Sequence, residues 1–300
     1  MIGGFTQLNE RFSLARERKR RGSRELNRIN RSDRVLFSPG NSGRTWIRVM
    51  LTRVIERHYE LDPCPLVNFD NLHKHDSGIP IIAITHNRWV PYFKKPEQNR
   101  ECSPYYHSTV LVLVRNPLDT CVSQYFQWKH RSKDHNIQLK GWPPRSCDLS
   151  LPEFFRHPET GVERLCRELN IWLRESSKFV DVLFIRYEDM LGDTLGVLRQ
   201  IVQFLGVPAT EAILEDAVEY GSFPNMKKRE TGDLAPPGEK GQSPVRNQDG
   251  ETHKARTGKI GGYSDYLTTQ ECEFFEKLIT TQLSGRFGYA NLPQIQEISS

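Results

Sequence analysis

Three short segments of the 300-residue chain carry residue types suited to holding anions and moving a proton. The first is Ser38-Pro-Gly-Asn-Ser-Gly-Arg-Thr45, set between an apolar run and a helical pattern. Gly40 and Gly43 let the backbone approach a ligand, successive N–H groups can point at it, and the following helix dipole favours negative charge. Thr45 adds a hydroxyl donor. The segment departs from the nucleotide-triphosphatase pattern G-x-x-x-x-G-K-[ST], because its glycines are too close and no Lys precedes Thr45. Glycine-rich turns also serve as plain connections. The second segment, Val114-Arg-Asn-Pro-Leu-Asp-Thr-Cys-Val-Ser123, puts Arg115 at the end of an apolar run and Ser123 two helical turns after Pro117. An Arg at a strand end and a Ser on the next helix can jointly hold a phosphate dianion. The competing role for Arg115 is capping the preceding carbonyls or pairing with Asp119. The third, Ala83-Ile-Thr-His-Asn-Arg-Trp89, ends a buried-type run with His86, whose pKa range suits a general base. His73 and His75 lack a third ligand at metal spacing, so no metal is expected.

These segments need elements to position them. Short runs rich in β-branched residues recur at 35–37, 79–85, 109–114 and 180–185. The run Thr109-Val-Leu-Val-Leu-Val114 has no polar interruption, which suits a strand covered on both faces. Between the runs lie helical patterns. Residues 43–58 place Trp46, Ile47, Met50, Leu51, Val54 and Ile55 on one side, with Arg48, Arg53 and Arg57 away from it. Segments 151–178, 194–205 and 269–283 behave alike. Strands alternating with helices predict the α/β class: one domain over 33–291 with a central parallel sheet flanked by helices and a P-loop-like turn after its first strand. A basic extension, 1–32, precedes it and a tail, 292–300, follows. Residues 229–258 hold Gly, Pro and charge with almost nothing apolar, and are expected to form a mobile lid or a surface insertion.

Composition sets the outer bounds. With 37% hydrophobic and 26% charged residues, the chain can bury a real core, which excludes a disordered chain and a disulfide-stapled miniprotein. Its apolar runs fall far short of the roughly 20 residues of a membrane span, so none is expected. No charged-then-apolar leader opens the sequence and Ile2 does not suit myristoylation. The six cysteines form no C-x-x-C pair and read as reduced thiols of a cytoplasmic protein. Net charge is +5, but residues 15–34 alone hold nine Arg or Lys against three acids, leaving the rest at −1. That stretch reads as a solvated arginine-rich helix lying against the domain. The competing reading, an arm for nucleic acid or anionic lipid, is disfavoured, because no aromatic residues interleave with the arginines to stack on bases.

In this order the three segments resemble the sulfotransferase superfamily that uses 3'-phosphoadenosine 5'-phosphosulfate (PAPS). SGRTW (42–46) is similar to its 5'-phosphosulfate loop and LVRNPLDTCVS (113–123) to its 3'-phosphate motif. Phe184-Ile-Arg-Tyr-Glu-Asp-Met190 resembles the family's tyrosine-glutamate-aspartate strand end. Ser222-Phe-Pro-Asn-Met-Lys-Lys228 resembles the stretch bordering the adenine, and Arg256-Thr-Gly-Lys-Ile-Gly-Gly-Tyr263 a late segment closing over the 3'-phosphate. The five stretches span 35–268, and SGRTW and GGYSDYLT lie nearer the bacterial branch.

The resemblance implies in-line transfer of a sulfuryl group from PAPS to a hydroxyl or amine, without a metal and without a covalent enzyme intermediate. His86 would be the general base. Asn41, Ser42, Gly43, Arg44 and Thr45 would grip the 5'-phosphosulfate, with Trp46 beside the adenine. Arg115 and Ser123 would hold the 3'-phosphate with Arg256, Thr257 and Gly258. Tyr187, Ser222, Phe223 and Met226 would border the adenine. Three lysines common in the family are replaced here by Asn41, Ile84 and Thr257. Arg44 is expected to supply the missing charge at the loop, with Arg88 and Arg48 as further candidates. The acceptor is expected to be a small molecule or saccharide. Trp89, Tyr92, Phe93, Tyr105, Tyr106, Phe126, Trp128 and Trp142 would line its pocket or simply pack the core. Residues 126–146 mix cations with Trp, which also admits an acidic acceptor. Alternatives are a P-loop kinase-like phosphotransferase, a family member that binds nucleotide but transfers weakly, and a non-catalytic binding module. The sequence leaves monomer and dimer open.

Overall fold

The computed structural model describes residues 2–92, 102–231 and 259–289. Among these, four strands form one parallel sheet: β1 (Arg34–Phe37), β2 (Ile82–Thr85), β3 (Thr109–Val114) and β4 (Asp181–Arg186), in the order β2-β1-β3-β4. The apolar run 79–85 becomes strand only from Ile82 onward. Pro80 has no N–H to give to a ladder, so the strand begins after it.

The helices in chain order are α1 (Ile2–Asn30), α2 (Arg44–His58), α3 (Pro117–Phe126), α4 (Asp134–Lys140), α5 (Leu151–Arg156) and α6 (Val162–Glu175), then α7 (Tyr187–Gly192), α8 (Thr194–Leu205), α9 (Glu211–Tyr220), α10 (Phe223–Thr231) and α11 (Thr269–Gln282). The segment 126–146 is more ordered than its polar composition suggested. After Phe126 the chain makes a π-turn and then α4, and Phe126, Trp128, Ile137, Leu139 and Trp142 are all buried.

Period-2 alternation divides the core between the two faces of the sheet. Val35, Phe37, Val110, Val112 and Val114 point into one cluster with residues of α3, α5, α6 and α11. Leu36, Leu111 and Leu113 point into the other, with Ile47, Met50, Leu51, Val54 and Ile55 of α2 and with α8 and α9. Each face of β3 is therefore covered by helices, which is why its sequence is apolar at every position.

The basic extension is a single helix whose lower half lies against the domain. Ile29 is buried in the first cluster, and Arg18 donates from Nε to Leu139 O at 3.0 Å and from Nη2 to Gln138 O at 2.7 Å.

Phe37 ends β1 stacked on Trp172 of α6, with centroids 3.7 Å apart and both rings fully buried. Phe37→Ala is expected to lower stability by about 3–5 kcal/mol, measured by urea denaturation, because it opens a cavity under the loop that follows.

Candidate active site

Each strand delivers the chain, at the same end of the sheet, to a residue with chemistry to perform. Ser38 follows β1, His86 follows β2, Arg115 follows β3 and Tyr187 follows β4. Parallel pairing makes this clustering a consequence of topology.

The turn after β1 passes through left-handed conformations at Asn41 (φ 71°) and Gly43 (φ 95°) before entering α2. Gly43 caps α2 without a side-chain hydrogen bond, and no acid occupies the first turn, so the positive end of the helix dipole is left for a ligand. Ser38 Oγ and Ser42 Oγ are buried and have no partner among the described residues. Buried hydroxyls are normally satisfied, and an oxyanion inside this turn would satisfy both. The residues present therefore fit a phosphate or sulfate group.

The turn is tied to the ends of β3 and β4. Asn41 donates from Nδ2 to Ser123 O at 2.8 Å, Arg115 donates from Nη1 to Asn41 O at 3.3 Å, and Gln124 donates from Nε2 to Gly40 O at 2.9 Å. The Arg115 guanidinium lies 4.4 Å from the centroid of the Tyr187 ring. Asp119, the alternative partner of Arg115, accepts instead from the N–H groups of Gly261 and Tyr263 at 2.9 and 3.1 Å, pinning the chain beyond the expected lid to α3.

Trp46 meets Tyr187 edge-on at 5.8 Å and donates its indole N–H to Gly221 O at 2.8 Å. That bond brings the start of α10, with half-buried Ser222 and Met226 and exposed Phe223, beside the same aromatic pair. Asn41, Ser42, Gly43, Arg44, Thr45, Trp46, Arg115, Ser123, Tyr187, Ser222, Phe223 and Met226 thus gather at the sheet's carboxyl end. Arg256, Thr257 and Gly258 lie outside the described residues, as does the segment 232–258 of the expected lid.

His86 faces the same turn. Its Nδ1 lies 2.7 Å from Ser38 O. A carbonyl oxygen only accepts, so Nδ1 carries the proton and Nε2 keeps its lone pair. Desolvation, reinforced by the charge of Arg44, holds the imidazole well below the ordinary pKa of 6.5. Arg44 is itself pressed down to about 10 by burial and then by Arg48, so it stays charged at neutral pH. Arg48 is engaged elsewhere, donating from Nε to Val67 O at 2.9 Å and from Nη2 to Leu66 O at 3.3 Å.

Sequence reasoning missed Glu25. This residue of α1 accepts from the Thr85 hydroxyl and from Trp89 N at 3.1 Å, bracketing the His86 turn, and its charge acts on Arg44. Burial raises its carboxyl, against the hydrogen bonds that lower it. The signal was present as spacing: buried Gly22, half-buried Glu25 and buried Ile29 lie at i, i+3 and i+7, one stripe on an otherwise charged helix.

The Sulfotransferase domain family matches residues 31–287, nearly the whole length, and the chain belongs to that family. Among its relatives, Cytosolic sulfotransferase 13 of Arabidopsis thaliana is 29% identical over 85% of this chain and 78% of that protein. Flavonol 4'-sulfotransferase of Flaveria chlorifolia is 23% identical over 84% and 79%. Among solved structures, mouse sulfotransferase SULT7A1 complexed with PAP shares the fold with a TM-score of 0.54 at 21% identity, covering 86% of each chain. Retinol dehydratase in complex with retinol and PAP gives 0.51 at 16% identity, covering 92% of this chain and 88% of that one. The protein is a sulfotransferase-family enzyme, and among its described residues no helix is long and apolar enough to cross a membrane.

A Cβ at Gly43 would stand 2.5 Å from Tyr187 Cδ2 in a backbone region that side chains rarely adopt. Gly43→Ala is expected to cost roughly 1–3 kcal/mol in a denaturant melt. Gly40→Ala, whose Cβ would meet only Gln124 Nε2 at 3.7 Å, should stay within about 0.5 kcal/mol of the parent.

Proposed function

We propose that this enzyme transfers the sulfuryl group of PAPS to a hydroxyl or amine of a small-molecule or saccharide acceptor, with His86 as general base. The observation that carries the reading is the bond between His86 Nδ1 and Ser38 O, because it fixes the base to the oxyanion turn itself. When bound, PAPS supplies the sulfuryl group and departs as PAP, keeping the electron pair of the broken S–O bond on its 5'-phosphate.

The chain's own residues do the rest. His86 Nε2 takes the acceptor proton. Ser42, Gly43, Thr45 and the N-terminus of α2 hold the 5' end, and Arg44 faces the charge that develops on the leaving oxygen in place of the lysine replaced by Asn41. Arg115 and Ser123 hold the 3'-phosphate, a group that ATP lacks, and Arg256, Thr257 and Gly258 would close over it. Trp46 and Tyr187 give the adenine an aromatic wall continued by Ser222, Phe223 and Met226. Family membership and the fold shared with PAP complexes support this reading over a kinase. The cytosolic relatives support a cytoplasmic setting.

His86→Ala is expected to cut transfer by about 10²–10⁴-fold while leaving PAP affinity in calorimetry unchanged. Parent-like turnover by that variant would remove the base assignment. Arg44→Ala is expected to lower kcat by about 10²–10³-fold in a labelled-donor assay.

The pH profile follows from the direction of the His86 shift. The working form is neutral, so activity is present above the folded pKa and lost as pH falls through it. Since that pKa lies well below 6.5, kcat/KM should stay level through pH 6.5 and decline only in more acidic solution. A midpoint at or above 6.5 would contradict the assignment.

A further inference from the structure

The cations near His86 fall into two groups. Arg44 is influenced by Arg48 and Glu25, whereas Lys140 is influenced by Arg88 and Arg164. His86 is within electrostatic reach of Arg44 and also of Arg88 and Lys140. The imidazole therefore links the oxyanion turn to a second positive region that the reading above does not use.

That region is built around one ring. Lys140, the half-buried last residue of α4, holds Nζ 4.2 Å from the centroid of Trp142. Arg88, two residues beyond the base, holds its guanidinium carbon 5.4 Å from the same centroid. Trp142 is 5% exposed, and its indole N–H is buried with no acceptor among the described residues. Among those residues no carboxylate forms an ion pair with Lys140. Ammonium and indole N–H are donors only, so Lys140 and Trp142 offer hydrogen bonds and positive charge and accept nothing.

We propose that Lys140, Arg88 and Trp142 form an acceptor subsite for an oxyanion, so that the favoured acceptors carry a carboxylate or sulfate beside the hydroxyl to be sulfated. The inference rests on His86 being the base that faces the acceptor. A bound oxyanion would give the buried indole N–H its missing partner and Lys140 a counter-ion. Desolvation, with Arg88 and Arg164, presses Lys140 down to about 7, the strain of a half-buried charge lacking its counter-ion.

The test is calorimetric binding of matched pairs to the full chain with PAP present: 4-hydroxyphenylacetate against its methyl ester, galacturonate against galactose, and galactose 6-sulfate against galactose. At least one charged partner should bind about tenfold or more tightly than its neutral mate, the strength of a charge-assisted hydrogen bond. Lys140→Met should abolish that preference, Lys140→Arg should retain it, and PAP should bind all three proteins alike. Preference confined to the first two pairs assigns the site to carboxylates, and preference confined to the third assigns it to sulfates. Absence of any charge preference in the parent, absence of binding included, overturns the subsite, as does a preference that survives Lys140→Met. Failure to bind PAP with the preference intact would instead overturn the donor reading.

Discussion

The structure depends on a contact between two strands that are not neighbours. β1 and β4 are separated in the sheet by β3, yet the turn after β1 touches the residue after β4, with Gly43 against the Tyr187 ring. Only a residue without a Cβ permits that approach. Arg115, issuing from the strand between them, completes the contact by bonding to the Asn41 carbonyl and lying over Tyr187. Three loops that would otherwise move independently are thereby held as one surface. Positioned donors stabilise developing charge in proportion to how little they must reorganise, which gives this packing a catalytic consequence.

The electrostatics are of one piece with that geometry. Cations gather at the carboxyl end of the sheet, and Glu25 from α1 reaches in among them. Burial first, and then the same positive field, disfavour an imidazolium at His86. Asn41 adopts the left-handed turn and bonds to Ser123, and in the proposed function Arg44 would carry the charge at the loop.

Much of this was legible in the sequence. The unbroken apolar run 109–114 announced a strand covered on both faces, and the spacing in 43–58 announced the buried face of α2. Arg115, His86 and the small-residue turn were readable because strand ends in a parallel sheet meet by topology. What escaped was long-range pairing. Glu25 looked like one acid in a basic run, since nothing local says that its carboxyl meets Thr85, 60 positions away. Lys140 looked like one more cation in a polar stretch, because Arg88, which shares the Trp142 ring with it, is brought there by the fold. The order within 126–146 was concealed for the same reason: its aromatics are spaced by a π-turn instead of a regular helix.

The central claim is that the oxyanion turn and the Arg115–Ser123 pair hold opposite ends of one nucleotide. Its most direct test compares the affinities of PAP and AMP, which differ only in the 3'-phosphate, for the parent and Arg115→Ala. The account predicts that the parent prefers PAP by a hundredfold or more, on the order of two charge-assisted hydrogen bonds, and that Arg115→Ala erases most of that preference while AMP binds as before. Equal affinities in the parent, or an undiminished preference in the variant, would contradict it.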